Sequence, residues 1–154
     1  MGNEDWKNAL RGYFDSLRVI ERCKFEAVEN FNQFCEFIAE PAFENLAEEL
    51  KSYGIKSKFQ KSKGSFIGFE IYFHKSKVDN FHYIISLPKN SVDLRLKLSI
   101  KGRRKKNSVL EEREEPFMKD IPPSNIMKLD KEDLIQDIIE HYKNFIYRAI
   151  TSPE

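Results

Sequence analysis

The spacing of apolar residues changes twice along this chain, and the two changes divide it into three parts. Between residues 4 and 53, apolar residues recur every three or four positions, which is the period of an amphipathic helix. Between residues 55 and 101 the period is two, as in strands with one buried face. The helical period returns from Leu134 to Ala149. This order of elements predicts an α+β domain.

The first part predicts two helices, over residues 4–22 and 24–53. Pro41 lies inside the second helix. Because proline lacks a backbone donor and clashes with the preceding turn, we expect a kink or a break near Glu40. Gly54 follows the last apolar residue and predicts a C-terminal cap. The apolar stripe of the first helix consists of Trp6, Leu10, Tyr13, Phe14, Leu17 and Ile20.

The second helix carries too many phenylalanines for one narrow stripe. A helix that is apolar over a wide arc is normally buried, so we expect this helix to lie between the sheet and residues 4–22. The alternative is that part of it is exposed and serves a dimer or a helper protein. The phenylalanines are Phe25, Phe31, Phe34, Phe37 and Phe43.

The middle part predicts four strands, and a weaker pattern predicts a fifth. Their connections are short enough for hairpins, and one polar face indicates an antiparallel sheet that is wet on one side. Asp130 is the expected cap of the last helix. We therefore expect a four- or five-stranded antiparallel sheet with N-terminal helices and a C-terminal helix packed on one face, in one domain over residues 1–154. The predicted strands cover residues 55–61, 66–74, 79–87, 92–101 and 109–118.

Several features bear on the cellular compartment. No run of about 18 apolar residues predicts a membrane span, and the first residues do not form a signal peptide. Cys23 and Cys35 lie twelve residues apart on a predicted helix. That spacing separates them by roughly 18 Å along the axis, which is too far for a disulfide. Reduced thiols indicate a cytoplasmic protein. The lack of an apolar run of spanning length predicts no membrane partner.

The net charge of +1 conceals a strong asymmetry along the chain. Residues 24–50 have a net charge of −6, and residues 107–154 a net charge of −5. Residues 51–106 contain fifteen Lys or Arg and three acids, a net charge of +12. The alternation places much of this positive charge on the outer face of the sheet, and the turn Arg103, Arg104, Lys105 and Lys106 extends it. The outer-face set consists of Lys56, Lys58, Tyr72, His74, His82, Arg95, Lys97 and Lys101.

This charge map is the main functional lead. It favours a small non-catalytic binding or adaptor protein that engages an anionic partner, with nucleic acid as the first candidate, because clustered cations release counterions from phosphates. A charged face can also be merely solvated, and residues 111–115 can fold over the basic turn and neutralise it. The alternatives are a protein-interaction module or homodimer, in which the basic sheet side meets the acidic helix side of a second copy, and an unrecognised enzyme.

Catalytic, metal and cofactor motifs are not recognisable in the sequence. His74, His82 and Glu70 provide too few ligands for zinc, so we predict no metal. Cys35 lies in an apolar stripe and is expected in the core rather than as a nucleophile. Neither a Walker loop nor a dinucleotide-binding glycine pattern occurs, so no cofactor is predicted.

Overall fold

The N-terminal part of the chain forms one long helical rod. The computed structural model describes residues 2–72, 80–102 and 111–151, with side chains described for 4–72, 80–102 and 111–148. Helix α1 spans Gly2–Phe34, a π-helical turn spans Cys35–Ala39, and helix α2 spans Glu40–Ser52. The two predicted N-terminal helices are therefore joined without a loop, and the boundary lies later than predicted.

The expected disturbance near Glu40 is the π-helical turn. The backbone N–H of Glu40 donates to the carbonyl of Cys35, five residues earlier, and Pro41 follows as the second residue of α2. In a regular helix the Pro41 ring would clash with the carbonyl of Phe37. The wider turn accommodates the proline without ending the helix, as π-bulges do elsewhere.

The sheet has five antiparallel strands in the order β1-β2-β3-β4-β5, so every strand pairs with its neighbour in sequence. This arrangement confirms the predicted α+β class, and the fifth strand is present. The strands are β1 Ser57–Ser62, β2 Phe66–Ile71, β3 Phe81–Ser86, β4 Lys97–Gly102 and β5 Glu111–Pro116.

The prediction of a continuous strand over residues 92–101 was wrong for its first half. Strand β4 begins at Lys97, which pairs with Ser86 on one side and Pro116 on the other. Both neighbouring strands end at that level, so the preceding residues have no ladder to join. Leu94 and Leu96 are nevertheless buried. The apolar alternation of residues 92–96 therefore reflects the burial of alternate side chains and not pairing with another strand.

Two helices cover the apolar face of the sheet. Phe43 of α2 packs against Phe69 of β2, with ring centroids 5.1 Å apart. After a short 3-10 turn at Pro123–Lys128, helix α3 spans Lys131–Thr151. Phe145 of α3 lies 5.5 Å from Phe81 of β3, measured between ring centroids. The core is thus divided between α2 over the first strands and α3 over the later ones.

Residues 4–22 do not pack over the second half of the helical rod, so that expectation was wrong. All of them are exposed, and Phe25 and Phe37 are exposed as well, whereas Phe31, Phe34 and Phe43 are fully buried. The apolar sheet face is already occupied by α2 and α3. The first turns of α1 therefore lack a complementary surface among the described residues of this chain.

Candidate binding site

The outer face of the sheet carries a row of charged side chains that runs across all five strands. The register aligns Lys58, Glu70, His82, Lys101 and Glu112. Lys58 Nζ and His82 Nε2 each lie 3.6 Å from a carboxylate oxygen of Glu70. In the described strands, the face predicted to be basic thus also carries the carboxylates of Glu70 and Glu112 in this row.

The two predicted site residues on β4 are paired with acids of β5. Lys97 Nζ lies 2.8 Å from Glu114 Oε2, and Lys101 Nζ lies 3.5 Å from Glu112 Oε1. The acidic segment 111–115 therefore reaches the β4 lysines by forming the next strand. An incoming anion would compete with these carboxylates.

The remaining predicted residues are distributed differently. Arg95 lies before β4 and is held 3.2 Å from Asp93 Oδ2, with 80% of its side chain exposed. His74, Arg103, Arg104, Lys105 and Lys106 lie outside the described residues. The predicted outer-face set is thus brought together only in part by the described structure.

Lys56, Lys58 and Tyr72 do come together, at the β1 edge of the sheet. The Tyr72 N–H donates to the Lys56 carbonyl at 2.9 Å, and Lys58 Nζ lies 5.7 Å from the centre of the Tyr72 ring. A hydrogen bond with Tyr72, more than the nearby Glu70 carboxylate, raises the pKa of the Lys58 ammonium above its ordinary value. Lys58 therefore remains charged beside an aromatic ring.

A groove of about 830 Å³ adjoins these residues, between α2 and β1. Ile55 and Phe59 contribute apolar surface, and Glu44 and Glu48 lie on the α2 side. Strand β1 has a neighbour on one side only in the described sheet, so the other edge carries unpaired backbone groups. The sequence from Lys51 to Phe69 contains five lysines and no acid. At this edge Lys58 is paired with Glu70, and Lys56 has no described salt bridge.

Sequence reasoning missed a polar cluster on the inner side of the sheet, between β3, β5 and α3. Tyr83 Oη donates to Asp137 Oδ2 at 2.5 Å. His141 Nε2 lies 3.6 Å from Asp137 Oδ2 and 3.6 Å from Glu115 Oε1, while Arg113 Nη2 lies 3.3 Å from His141 Nδ1. Desolvation, with the Asp137 charge second, raises the pKa of the Tyr83 phenol well above its ordinary value.

The signal for this cluster was weak because its members come from three elements. Asp137 and His141 are four residues apart beside the apolar stripe of the last helix, which places them on one face. Strand β5 has almost no apolar residue, so its alternation did not show that Arg113 and Glu115 face inward. Tyr83 is completely buried. The cluster therefore joins the sheet to α3 through a buried tyrosine.

The part of the chain that the structure describes contains no group of three His, Cys, Asp or Glu residues arranged to hold a metal ion. Of the helices in those same ranges, none combines the length and apolar character that crossing a bilayer requires.

Comparison with known proteins does not add a family to this fold. No protein-family model, curated protein or solved structure matches the chain. The fold defines the molecule as an α+β protein with a five-stranded antiparallel sheet, and its function has to be argued from its own residues.

Proposed function

We propose that this protein is a non-catalytic cytoplasmic binding protein that holds a single-stranded nucleic acid along the β1 edge of its sheet. The observation that carries the proposal is the convergence of Lys56, Lys58 and Tyr72 on that edge. Lysines along a groove attract a phosphate backbone, and an aromatic ring stacks on an unpaired base without regard to its identity. The two free thiols agree with a reducing compartment.

Charge pairing favours the β1 edge over the middle of the sheet. Lys97 and Lys101 already have carboxylates of β5 as partners. Lys61 is also neutralised, since its Nζ lies 2.6 Å from Glu40 Oε1. Lys58 has one carboxylate partner, Glu70 at 3.6 Å, and is half exposed, whereas Lys56 has no described salt bridge. Phosphates would therefore meet the least competition from carboxylates at Lys56, with the half-exposed Lys58 beside it.

The walls of the groove indicate how a strand would lie. Glu44 and Glu48 make the α2 wall repulsive to phosphate, whereas the β1 wall carries the lysines. The backbone would therefore follow β1, with a base directed toward Tyr72. Apolar surface from Ile55 and Phe59 suits the flat faces of bases.

Fluorescence anisotropy with a labelled oligothymidylate, at low and high salt, tests the proposal. We expect binding that weakens as salt rises. The double variant Lys56→Ala and Lys58→Ala should reduce the slope of log affinity against log salt by about 1.4, because two phosphate contacts are lost. Tyr72→Ala should weaken binding by about fivefold or more, the low end of the range for loss of one base stack.

The matched control is the double variant Lys97→Ala and Lys101→Ala, which removes the same charge from the same sheet. Because these lysines are paired with Glu114 and Glu112, we expect nearly wild-type affinity. Equal losses in both double variants, or no salt-dependent binding by the wild type, would overturn the proposal. Binding of a labelled polyglutamate in place of the oligonucleotide would instead assign the edge to an acidic protein segment.

A second candidate function, a protein-interaction module, is favoured by a different observation. Six large apolar side chains form an exposed stripe on the first turns of α1, far from the β1 groove in sequence. Monomeric soluble proteins rarely leave so continuous a stripe uncovered. This surface is independent of the nucleic-acid proposal.

A further inference from the structure

The first turns of α1 have the spacing of a coiled-coil seam. From residue 6 to residue 27 the seam positions alternate between steps of four and three, and six of the seven are apolar. Such a repeat keeps one side of a helix against another helix. The seam consists of Trp6, Leu10, Tyr13, Leu17, Ile20, Lys24 and Ala27, and Phe14 widens it at one flank.

The same seam is buried in one half of the helical rod and uncovered in the other. Its continuation through Ala27, Phe31, Phe34 and Ile38 lies in the core. The seam and flank residues from Trp6 to Ile20 are between 38% and 60% exposed. One continuous stripe therefore changes from packed to unpacked at the point where α1 leaves the body. We call residues 4–24 the arm.

The described chain does not cover the arm. Helix α1 meets the body at the β1–β2 turn, where the Gly64 N–H donates to Asn32 Oδ1 at 2.7 Å. Phe34 packs there against Phe117, just past the end of β5. The described residues that flank the two undescribed segments, Ile71 with Phe81 and Gly102 with Glu111, lie at the opposite end of the sheet. The occupant of the arm is therefore to be sought in another molecule.

We propose that a second copy of this chain covers the arm, with the two arms packed as an antiparallel pair centred near Asp15. In this pair the seam residues of one copy face those of the other in three different combinations, and the two-fold symmetry repeats each combination once. Trp6 faces Lys24, Leu10 faces Ile20, and Tyr13 faces Leu17 of the other copy. The pairing stops before Ala27, where each α1 enters its own body, so the two bodies lie at opposite ends.

Charge complementarity selects the antiparallel arrangement. It places Lys7 of each copy beside Glu21 of the other. The two copies of Phe14 meet midway between these two ion pairs. The antiparallel arrangement also places the Lys24 ammonium against the Trp6 ring, a favourable cation–π contact. A parallel pair would set Lys24 against Lys24 in the seam and would pair the flanking Glu21 with the uncharged Ser16.

The arm's overall charge also favours another protein helix over a lipid surface. Residues 4–26 contain five acids and five bases. Helices that bind anionic membranes are rich in Lys and Arg on their polar face. The mixed signs are those expected on the outside of a helix pair in water.

Sedimentation equilibrium over a concentration series tests the pairing with the full chain. We expect a mass that rises from 18.2 kDa toward twice that value as concentration increases. Leu17→Glu should keep the mass at 18.2 kDa over the same series. Val19→Glu is the matched control, because Val19 is also exposed on the arm but lies off the seam. A wild-type monomer throughout, or equal effects of the two variants, would overturn the proposal.

A charge exchange tests the orientation. Lys7→Glu should weaken the dimer, and adding Glu21→Lys should restore it, because the exchanged charges face each other only in the antiparallel pair. Ala9→Cys should be joined to the native Cys23 of the other copy by a short bis-maleimide, and this product should be absent when Cys23→Ser is added. Failure of the exchange to restore the dimer, or cross-links only between two copies of residue 9, would contradict the antiparallel arrangement.

Discussion

The two cysteines differ in how far their side chains are exposed to solvent. Cys35 is buried as the first residue of the π-helical turn, whereas Cys23 is partly exposed on α1. Desolvation, only partly offset by the nearby Lys61 charge, raises the pKa of the Cys35 thiol from 9.0 to about 12. The neutral thiol is therefore favoured in the folded state.

This shift predicts how stability changes at alkaline pH. Because the folded pKa is above the unfolded one, the contribution of Cys35 is fully present below pH 9 and is lost as pH rises toward 12. For one proton, the free energy of unfolding can fall by at most about 1.4 kcal/mol per pH unit. Urea unfolding on both sides of pH 9 should show this fall in the wild type and a shallower one in Cys35→Ala. Cys23→Ala should keep the wild-type slope; identical slopes in all three proteins would refute the assignment.

At the scale of elements, the start of α3 shows how a local contact differs from its sequence pattern. Asp130 was expected to cap the helix with its side chain. The described contact runs the other way, since the Asp130 N–H donates to Asp133 Oδ2 at 3.0 Å. This is the backward half of a capping box, in which the third helical residue holds the chain that enters the helix.

The contact predicts unequal effects of two neighbouring acids. Asp133→Ala should lower the free energy of unfolding by about 1 kcal/mol, because the Asp130 N–H loses its partner. Glu132→Ala removes the same charge from the first turn without removing that bond, so it should cost less, about 0.3–0.5 kcal/mol. Thermal unfolding of both variants provides the comparison, and equal costs would show that only the helix dipole matters.

The sequence predicted elements better than it predicted what surrounds them. Alternation identified the strands because each has one face on the core, and Lys97 and Lys101 do project from the outer face. Their pairing with Glu114 and Glu112 depended on the register of β5, which no apolar alternation specifies. Similarly, the stripe of residues 6–20 revealed a helix but not that it would project, because a stripe has the same pattern whichever molecule covers it.

At the scale of the whole molecule, the structure divides into a body with a shared core and an arm that contributes nothing to that core. The body joins α2, α3 and the sheet through large buried side chains such as Phe43 and Ile138. Among the described residues, the arm, a helix of about six turns, meets the body only at its C-terminal end. Most of the stability of a helix in a protein comes from the packing of its apolar face, which the described residues do not supply to the arm.

Hydrogen exchange should show this division directly. In dilute protein, amides of residues 4–24 should exchange much faster than those of β2 and β3. If the arms pair, arm exchange should slow as concentration rises, while exchange in the sheet should stay constant. Leu17→Glu should abolish the concentration dependence. Arm exchange as slow as that of the sheet at every dilution would contradict the division into arm and body.

The strand order β1-β2-β3-β4-β5 has a consequence for how the chain reaches its fold. Each strand can pair with the preceding strand during synthesis, because contacts between residues close in sequence generally form quickly. Helix α2 precedes the sheet and can cover β1 and β2 at once, through Phe43, Phe59 and Phe69. The apolar face of the later strands must wait for α3, which follows all five strands in the chain. Until α3 docks, the apolar face of those strands is exposed, and exposed apolar surface of this kind promotes aggregation.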